Sequence, residues 1–150
     1  MSKIFLLDSG PLGFACNPSG SPKSVNFRQW LSRQLSNGIR VHVPEVTDYE
    51  VRRELIRSGR VRSVAKLDSL SATLGYLPIT TPVMRRAAEF WAQARNAGKP
   101  TAHNLRLDAD MILVAQAALL IAAGHDVTII TGNIAHLSLF VPAADWQSIP

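Results

Sequence analysis

Short apolar runs alternate along the chain with longer segments in which apolar residues recur at helical spacing. The first run, IFLLD at positions 4–8, is apolar without interruption up to its final carboxylate. Such a run, followed by turn-forming residues, is typical of a strand buried on both faces of a sheet. We predict a turn at 9–11 and further strands at 39–44, 76–80 and 126–131.

The intervening segments carry the apolar period of amphipathic helices. Between 25 and 38 the apolar residues fall at helical spacing, and Gly38 supplies the stop. The next helix is predicted to begin at an N-cap on Thr47 or Asp48, and the most apolar helix at an N-cap on Asp108. Further helices are predicted at 60–75 and 81–98, loops at 17–24 and 99–107, and a short helix or turn with an edge strand after 133.

Strands that alternate with helices indicate βαβ crossovers and a mostly parallel sheet covered by helices on both faces. The predicted fold class is therefore α/β, with a helix layer on each side of the sheet. At 150 residues the chain is predicted to form one domain over 1–150. Ligands of such sheets bind at the carboxyl ends of the strands, which is where Asp8 falls.

Composition narrows the class of protein. The chain is 47% hydrophobic and 18% charged, which is typical of a globular protein. One cysteine and no zinc-ligand spacing favour a reduced, cytoplasmic setting. Asp8 interrupts the first apolar run, so we expect no signal peptide, and the apolar segment at 111–124 is too short to span a membrane. A net charge of +5 and a pI of about 10.0 favour a polyanionic partner.

Carboxylates from distant segments are expected to meet at the carboxyl edge of the sheet. Asp8 ends the first strand, and Glu50 lies on the helical segment that follows the strand at 39–44. Asp110 opens an apolar helix in which no Lys or Arg follows it. Thr131 and Asn133 follow the last long strand. Clustered carboxylates require a counter-charge, and Mg²⁺ prefers oxygen ligands. Such a site can activate water for attack on a phosphodiester.

Each of these residues also has a purely structural interpretation. Asp8 could cap a turn, Glu50 could lie on a solvated helix face, and Asp110 could interact with the helix dipole. Asn133 could be a turn residue or a helix cap. Asp108 and Asp110 are two residues apart, about 200° around a helix, so they can converge only if Asp108 is the N-cap.

Four segments in this order resemble the motifs of PIN-domain ribonucleases, a family that includes toxins of bacterial and archaeal toxin–antitoxin pairs. They are LLDSGPLG, VPEVTDYEVRREL, DADMILVAQA and IITGNIAHL. The resemblance implies a three-layer α/β/α fold and a Mg²⁺- or Mn²⁺-dependent endoribonuclease. It further implies that the protein forms a homodimer and that an acidic antitoxin binds it.

The resemblance also assigns roles to residues. It implies that Asp8, Glu50 and Asp110 hold the metal and that Asn133 completes the catalytic set. Supporting roles fall to Thr131, Ser9 and Asp108.

Two positions depart from the family pattern. Asn133 stands where many active members carry Asp, and the residues Gly10 and Pro11 that follow Asp8-Ser9 are less usual in the family. The Asn keeps an oxygen ligand and loses a charge. The alternative function is therefore a non-catalytic PIN-like module that binds RNA or protein. A phosphatase with Asp8 as nucleophile would need a second acid two residues on, where this chain has Gly10.

A basic stretch follows the second motif. Arg53, Arg57 and Arg60 are predicted to share one helical face that contacts RNA phosphates or an acidic antitoxin. The alternative is an ordinary solvated basic face, and Glu54 is placed to pair with Arg57.

Overall fold

The computed structural model describes residues 3–98 and 104–150. Within them the strands are β1 (Lys3–Leu7), β2 (Arg40–Pro44), β3 (Gly75–Leu77), β4 (Asp126–Ile130) and β5 (Ala143–Ala144). The helices are α1 (Ser9–Cys16), α2 (Pro22–Ser36), α3 (Glu45–Arg57), α4 (Val61–Thr73), α5 (Thr81–Asn96), α6 (Asn104–Ala122) and α7 (Ile134–Leu137), and a short 3₁₀ turn covers Trp146–Ser148.

The five strands form one parallel sheet in the order β3-β2-β1-β4-β5. In β1, Ile4 is in register with Arg40 of β2 on one side and with Val127 of β4 on the other. The chain builds β2 and β3 on one side of β1 and then crosses to build β4 and β5 on the other. The strand order therefore reverses between β1 and β4, and a crevice for ligands is expected at the carboxyl ends of those two strands.

Alternate residues of β1 face two separate cores. Ile4 and Leu6 pack with α5 and α6, whereas Phe5 and Leu7 pack with α1, α2 and α4. All four side chains are almost completely buried, as expected for a central parallel strand covered on both faces. The predicted α/β class, with helices on both sides of a parallel sheet, is confirmed.

The turn predicted at 9–11 is wrong, because α1 begins directly at Ser9. Pro11 lies in its first turn, where a missing N–H costs no helical hydrogen bond. Turn-forming residues and the first turn of a helix have similar composition, and here the Asp8 cap selects the helix.

Two predicted helix starts are also wrong. α3 begins at Glu45, so Thr47 and Asp48 lie inside it. Neither side chain caps the helix: Thr47 donates from Oγ1 to the carbonyl of Pro44 at 2.9 Å, and Asp48 accepts from Arg52. α6 begins at Asn104, so Asp108 lies inside the helix and is not its N-cap. Leu107 is buried in the same core as Met111 and Val114, so the apolar face of α6 begins before Asp108. Of the loop predicted at 99–107, residues 99–103 lie outside the described residues.

The C-terminal segment packs against α2. Trp30 donates from Nε1 to the carbonyl of Ile149 at 2.9 Å, and Gln34 donates from Nε2 to the carbonyl of Pro150 at 2.8 Å. Trp146 meets the ring of Phe27 edge-on. The short helix and edge strand predicted after 133 are confirmed as α7 and β5. No helix among the described residues is long and apolar enough to cross a membrane.

Gly75 gives a test of how tightly β2 and β3 pack. A Cβ at this position would lie 2.6 Å from two atoms of the His42 ring, whereas a Cβ at Gly13 in α1 would meet nothing within 4 Å. We expect Gly75→Ala to destabilise the fold by about 1–3 kcal/mol through overpacking. Gly13→Ala should stabilise it by up to about 1 kcal/mol through helix propensity. Urea unfolding measures both, and equal effects of the two changes would contradict the packing.

His42 makes stability depend on pH. Its Nδ1 is buried without a hydrogen-bond partner among the described residues. Burial, with smaller contributions from Arg40 and His125, lowers the pKa of His42 below its ordinary value. The unfolded state therefore binds the proton more readily, so this contribution to stability is full above about pH 6.5 and is lost as the pH falls below it. As the pH is lowered from about 7.5 to 5.5, we expect the urea midpoint of wild type to decrease by more than that of His42→Phe. The same decrease in both proteins would refute this.

Candidate functional site

Asp8 occupies the junction between the central strand and the first helix. Its N–H donates to the carbonyl of Ile130 at 3.0 Å, which extends the pairing of β1 with β4 by one residue. Its Oδ1 accepts from the N–H of Ser9 at 2.7 Å, so Asp8 is the N-cap of α1. The positive end of α1 stabilises the charged carboxylate. A carboxylate has about four acceptor positions, so this cap leaves capacity for a further ligand.

Thr131 fixes the other oxygen of Asp8. Thr131 is buried at the end of β4, and its Oγ1 donates to Oδ2 of Asp8 at 2.7 Å. The same Oγ1 accepts from the N–H of Asn133 at 2.8 Å, and the backbone N–H of Thr131 donates to the carbonyl of Ala144 at 3.0 Å. One hydroxyl therefore joins the carboxyl ends of β1 and β4 to the segment that begins α7.

Asn133 stands at the N-cap position of α7, but its side chain makes no capping hydrogen bond. The carboxamide is half-buried, and its backbone is held two residues from Thr131. The structure therefore brings Asp8, Ser9, Thr131 and Asn133 together as one connected group at the crevice between β1 and β4.

Glu50 and Asp110 lie in the N-terminal halves of α3 and α6. α3 starts where β2 ends and packs against both α1 and α6. α6 leads into β4, so its N-terminal half lies towards the carboxyl edge of the sheet. Glu50 and Asp110 are both half-buried, Oδ2 of Asp110 is enclosed, and both residues interact with other groups.

Asp108 does not share the direction of Asp110. Because α6 continues through both residues, their side chains point about 200° apart. Asp108 is exposed and lines a surface groove with Met84 and Trp91 of α5. Asp108 is therefore not the N-cap that would have let the two carboxylates converge. The supporting role that the family resemblance implies for Asp108 stays a prediction.

The donor set at this edge suits a hard cation held by few protein ligands. Among the described residues, no three His, Cys, Asp or Glu side chains come together as a metal centre. Mg²⁺ is commonly held by one or two carboxylates, with waters and substrate phosphates completing its shell. Asp8, oriented at both oxygens and half-exposed, fits that arrangement. The three-carboxylate ligand set of Asp8, Glu50 and Asp110 stays a prediction.

Sequence reasoning missed an ionic network on α3. Asp48 is buried, and it accepts from Nε of Arg52 at 3.0 Å and from the hydroxyl of Tyr76 at 2.7 Å. Arg52 also donates to Asp68 of α4 at 2.8 Å. The network ties α3 to β3 and α4, and burial together with Asp48 raises the pKa of the Tyr76 hydroxyl. The i, i+4 spacing of Asp48 and Arg52 is the signal that could have revealed the first contact.

The sole cysteine, Cys16, is buried, and burial raises the pKa of its thiol to about 12. A buried thiol with a raised pKa is a weak nucleophile at neutral pH.

The predicted basic face is divided between two elements. Arg57 pairs with Glu54, as predicted. Arg53 lies over the ring of Tyr49, with 4.9 Å from its guanidinium carbon to the ring centroid. Arg60, however, follows the end of α3 and is the N-cap of α4, so its expected helical spacing with Arg53 and Arg57 is wrong.

The PIN domain family model matches residues 6–134, and the chain belongs to this family. The fold is similar to that of VapBC2 from Rickettsia felis, solved with a promoter DNA fragment, at 14% identity and a TM-score of 0.70, covering 95% of this chain and 98% of that one. It is also similar to DNA-bound VapBC from Salmonella typhimurium, at 18% identity and a TM-score of 0.68, covering 97% and 99%. FitAcB from Neisseria gonorrhoeae gives 20% identity and a TM-score of 0.70, with the same coverage. No curated protein matches the chain.

Thr131 provides a test of the strand-end connection. Thr131→Val keeps the shape but removes the hydroxyl that donates to Asp8 and accepts from Asn133. We expect a loss of about 1.5–3 kcal/mol in the free energy of unfolding, since one lost bond involves a charged acceptor. Thr131→Ser, which keeps the hydroxyl, should lose less than half of that. Chemical denaturation measures both, and equal losses would show that the methyl group matters and the hydroxyl does not.

Proposed function

We propose that this PIN-family protein is a metal-dependent endoribonuclease and the toxin of a toxin–antitoxin pair. The observation that carries the proposal is the orientation of Asp8. Its two carboxylate oxygens are held by Ser9 and Thr131 at the point where the strand order of the sheet reverses. Open α/β sheets bind their ligands at that point. A single domain over 1–150 and a cytoplasmic location belong to the same proposal.

Asp8, with Glu50 and Asp110, is proposed to hold Mg²⁺ or Mn²⁺. When bound, such an ion lowers the pKa of a water molecule and offsets the charge that develops on a phosphodiester. The protein's own contribution is preorganisation: the Thr131 hydroxyl and the Ser9 N–H hold the two oxygens of the Asp8 carboxylate in a fixed orientation. The amide oxygen of Asn133 is proposed to complete the site without adding a charge.

The partners follow from charge and from the resemblance. A net charge of +5 favours RNA as substrate and an acidic antitoxin as regulator. Arg53, Arg57 and Arg60 are proposed to contact one or the other. The structural relatives were solved as VapBC and FitAcB, which supports a partner chain for this protein, and a homodimer is proposed from the family resemblance.

A second candidate function is an RNA- or protein-binding module without catalysis. Two observations favour it: the amide of Asn133 replaces a carboxylate, and within the described part of the chain no three metal-ligating side chains cluster. This candidate predicts that RNA binds equally well with and without divalent cations.

Asp8→Asn separates the two functions. The variant should fold, because the new amide can donate to Oγ1 of Thr131, which has a second lone pair. We expect RNA cleavage to fall by at least about 100-fold and wild-type cleavage to require Mg²⁺ or Mn²⁺ and to stop in EDTA. The measurement is a cleavage time course on a mixed RNA pool.

The matched control is Asp126→Asn, which neutralises an exposed carboxylate at the opposite, amino end of β4 and should cut like wild type. If wild type and the control are folded and inactive with every metal, the binding module replaces the nuclease. Should Asp8→Asn cut as fast as wild type, the proposed site is wrong.

A further inference from the structure

A surface pocket of about 330 Å³ lies in the groove between α5 and α6. Residues of both helices line it: Met84, Ala87, Ala88 and Trp91 of α5, and Asp108, Met111 and Ile112 of α6. We infer that this pocket binds a guanine base of the RNA substrate, an inference that rests on the proposed function. It would add a determinant of sequence preference to the site at the β1–β4 crevice.

Helical spacing accounts for the shape of the pocket. The lining residues of each helix are three or four positions apart, so each set shares one helix face. On α5 the small side chains of Ala87 and Ala88 stand between the large side chains of Met84 and Trp91, which leaves a depression. Met84 and Trp91 are exposed, whereas Ala87 is buried. The volume lies within the range of about 300–1,000 Å³ that is usual for small-ligand sites.

Asp108 is the single charged residue of the lining. It is exposed, and no Lys, Arg or His in the described part of the chain forms an ion pair with it. An ionised carboxylate accepts hydrogen bonds and donates none. The pocket therefore suits a largely flat, apolar ligand that presents N–H donors to one wall.

This acceptor selects among the four RNA bases. The Watson–Crick edge of guanine presents two neighbouring donors, N1–H and the N2 amino group, which match the two oxygens of a carboxylate. Adenine and cytosine each present one amino group beside an acceptor nitrogen, and uracil presents one N–H between two carbonyl oxygens. Each of these three bases would direct an acceptor at Asp108. Base edges in single-stranded RNA are open to such recognition.

Trp91 and Arg95 suit the rest of a nucleotide. An exposed indole ring provides a surface on which a base can stack. The guanidinium carbon of Arg95 lies 5.1 Å from the ring centroid of Trp91, so positive charge adjoins the pocket. That charge favours the phosphate of a bound nucleotide and repels a Lys or Arg side chain of a protein. A neutral base with an anionic backbone therefore matches the pocket better than a basic peptide does.

The pocket lies near the proposed metal site without forming part of it. Asp108 and Asp110 are separated by about 3 Å along the α6 axis, and their side chains point about 200° apart around a helix about 10–12 Å thick. A strand that is cut beside Asp110 would therefore need only a few nucleotides to reach the pocket. Guanine binding there would influence which sequence is cut and would not touch the reacting atoms.

The test measures base preference apart from cleavage. Fluorescent oligouridine strands that carry guanosine, inosine or adenosine at the same central positions are titrated into Asp8→Asn protein in EDTA. We expect the guanosine strand to bind about tenfold more tightly than the adenosine strand. Inosine lacks the N2 amino group, so its strand should bind less tightly than the guanosine strand.

Asp108→Asn, added to Asp8→Asn, should weaken binding of the guanosine strand about tenfold and abolish the preference over adenosine. Removing a negative charge would by itself strengthen binding to RNA, so the expected change has the opposite sign to the general electrostatic effect. Asp126→Asn removes the same charge from an exposed residue at the amino end of β4 and should retain the preference. Trp91→Ala should weaken binding of both strands about tenfold, and Trp91→Phe should lose less.

A second arm identifies the source of the ligand. Guanosine monophosphate and an oligolysine peptide are titrated separately into ¹⁵N-labelled protein, and the indole N–H signal of Trp91 is followed. Shifts with the nucleotide, together with the loss of guanosine preference in Asp108→Asn, support the inference. Nucleotide shifts without any guanosine preference in RNA overturn it in favour of a free-nucleotide site. Shifts with oligolysine alone overturn it in favour of a basic protein.

Unchanged or tighter binding of the guanosine strand by Asp108→Asn also overturns the inference. Sedimentation of Trp91→Ala tests the remaining occupant: a dimer that dissociates while the guanosine preference persists would assign the groove to a second copy of the chain. An inactive wild type that retains the preference would refute the nuclease and leave the pocket standing, whereas a wild type that cuts without the preference would refute the pocket alone. Unfolding midpoints show whether each variant folds, and the guanosine-to-inosine ratio decides without any pocket variant.

Discussion

The hydrogen bond from Thr131 to Asp8 is the contact on which the proposed site depends. It spans 123 positions of sequence and exists only because β1 and β4 lie side by side with their carboxyl ends aligned. The crossover of the chain from β3 to β4 creates that adjacency, and the two apolar cores stabilise it. Ile4 and Leu6 pack into one core, and Phe5 and Leu7 pack into the other, so β1 is covered on both faces. The position of Asp8 in the proposed site therefore depends on the burial of β1.

The capping role of Asp8 and its proposed metal-binding role are compatible. The cap uses one acceptor position on Oδ1, and Thr131 uses one on Oδ2. Both contacts oppose rotation of the carboxylate, and a fixed orientation is what a metal ligand requires. A structural explanation of the residue therefore does not compete with a functional one here. The same geometry would be present in a protein that had lost activity, which is why cleavage and binding have to be measured separately.

Charge on this protein is organised by local pairing. Arg52 is occupied by Asp48 and Asp68, and Arg57 by Glu54, so these residues contribute less to a positive field than the composition indicates. At the start of α4, Arg60 and Arg62 line a surface cavity together with Asn17, Ser19 and Ser63.

The sequence alone indicated β1, β2 and β4, the mostly parallel sheet and the polar residues at its carboxyl edge, because buried strands are continuous apolar runs and their ends are marked by Asp8 and Thr131. The strand predicted at 76–80 is shorter in the structure, where β3 covers Gly75–Leu77. It also carried the motifs of the PIN family. The start of α6 was mispredicted at Asp108, since an acidic residue before an apolar run has the composition of an N-cap, and only packing showed that the helix had already begun at Asn104. The buried Asp48 network and the cavity at α4 depend on contacts between separate elements, so tertiary structure decided them. Local pattern sets which residues can form an element, and the packing of elements sets which side chains meet.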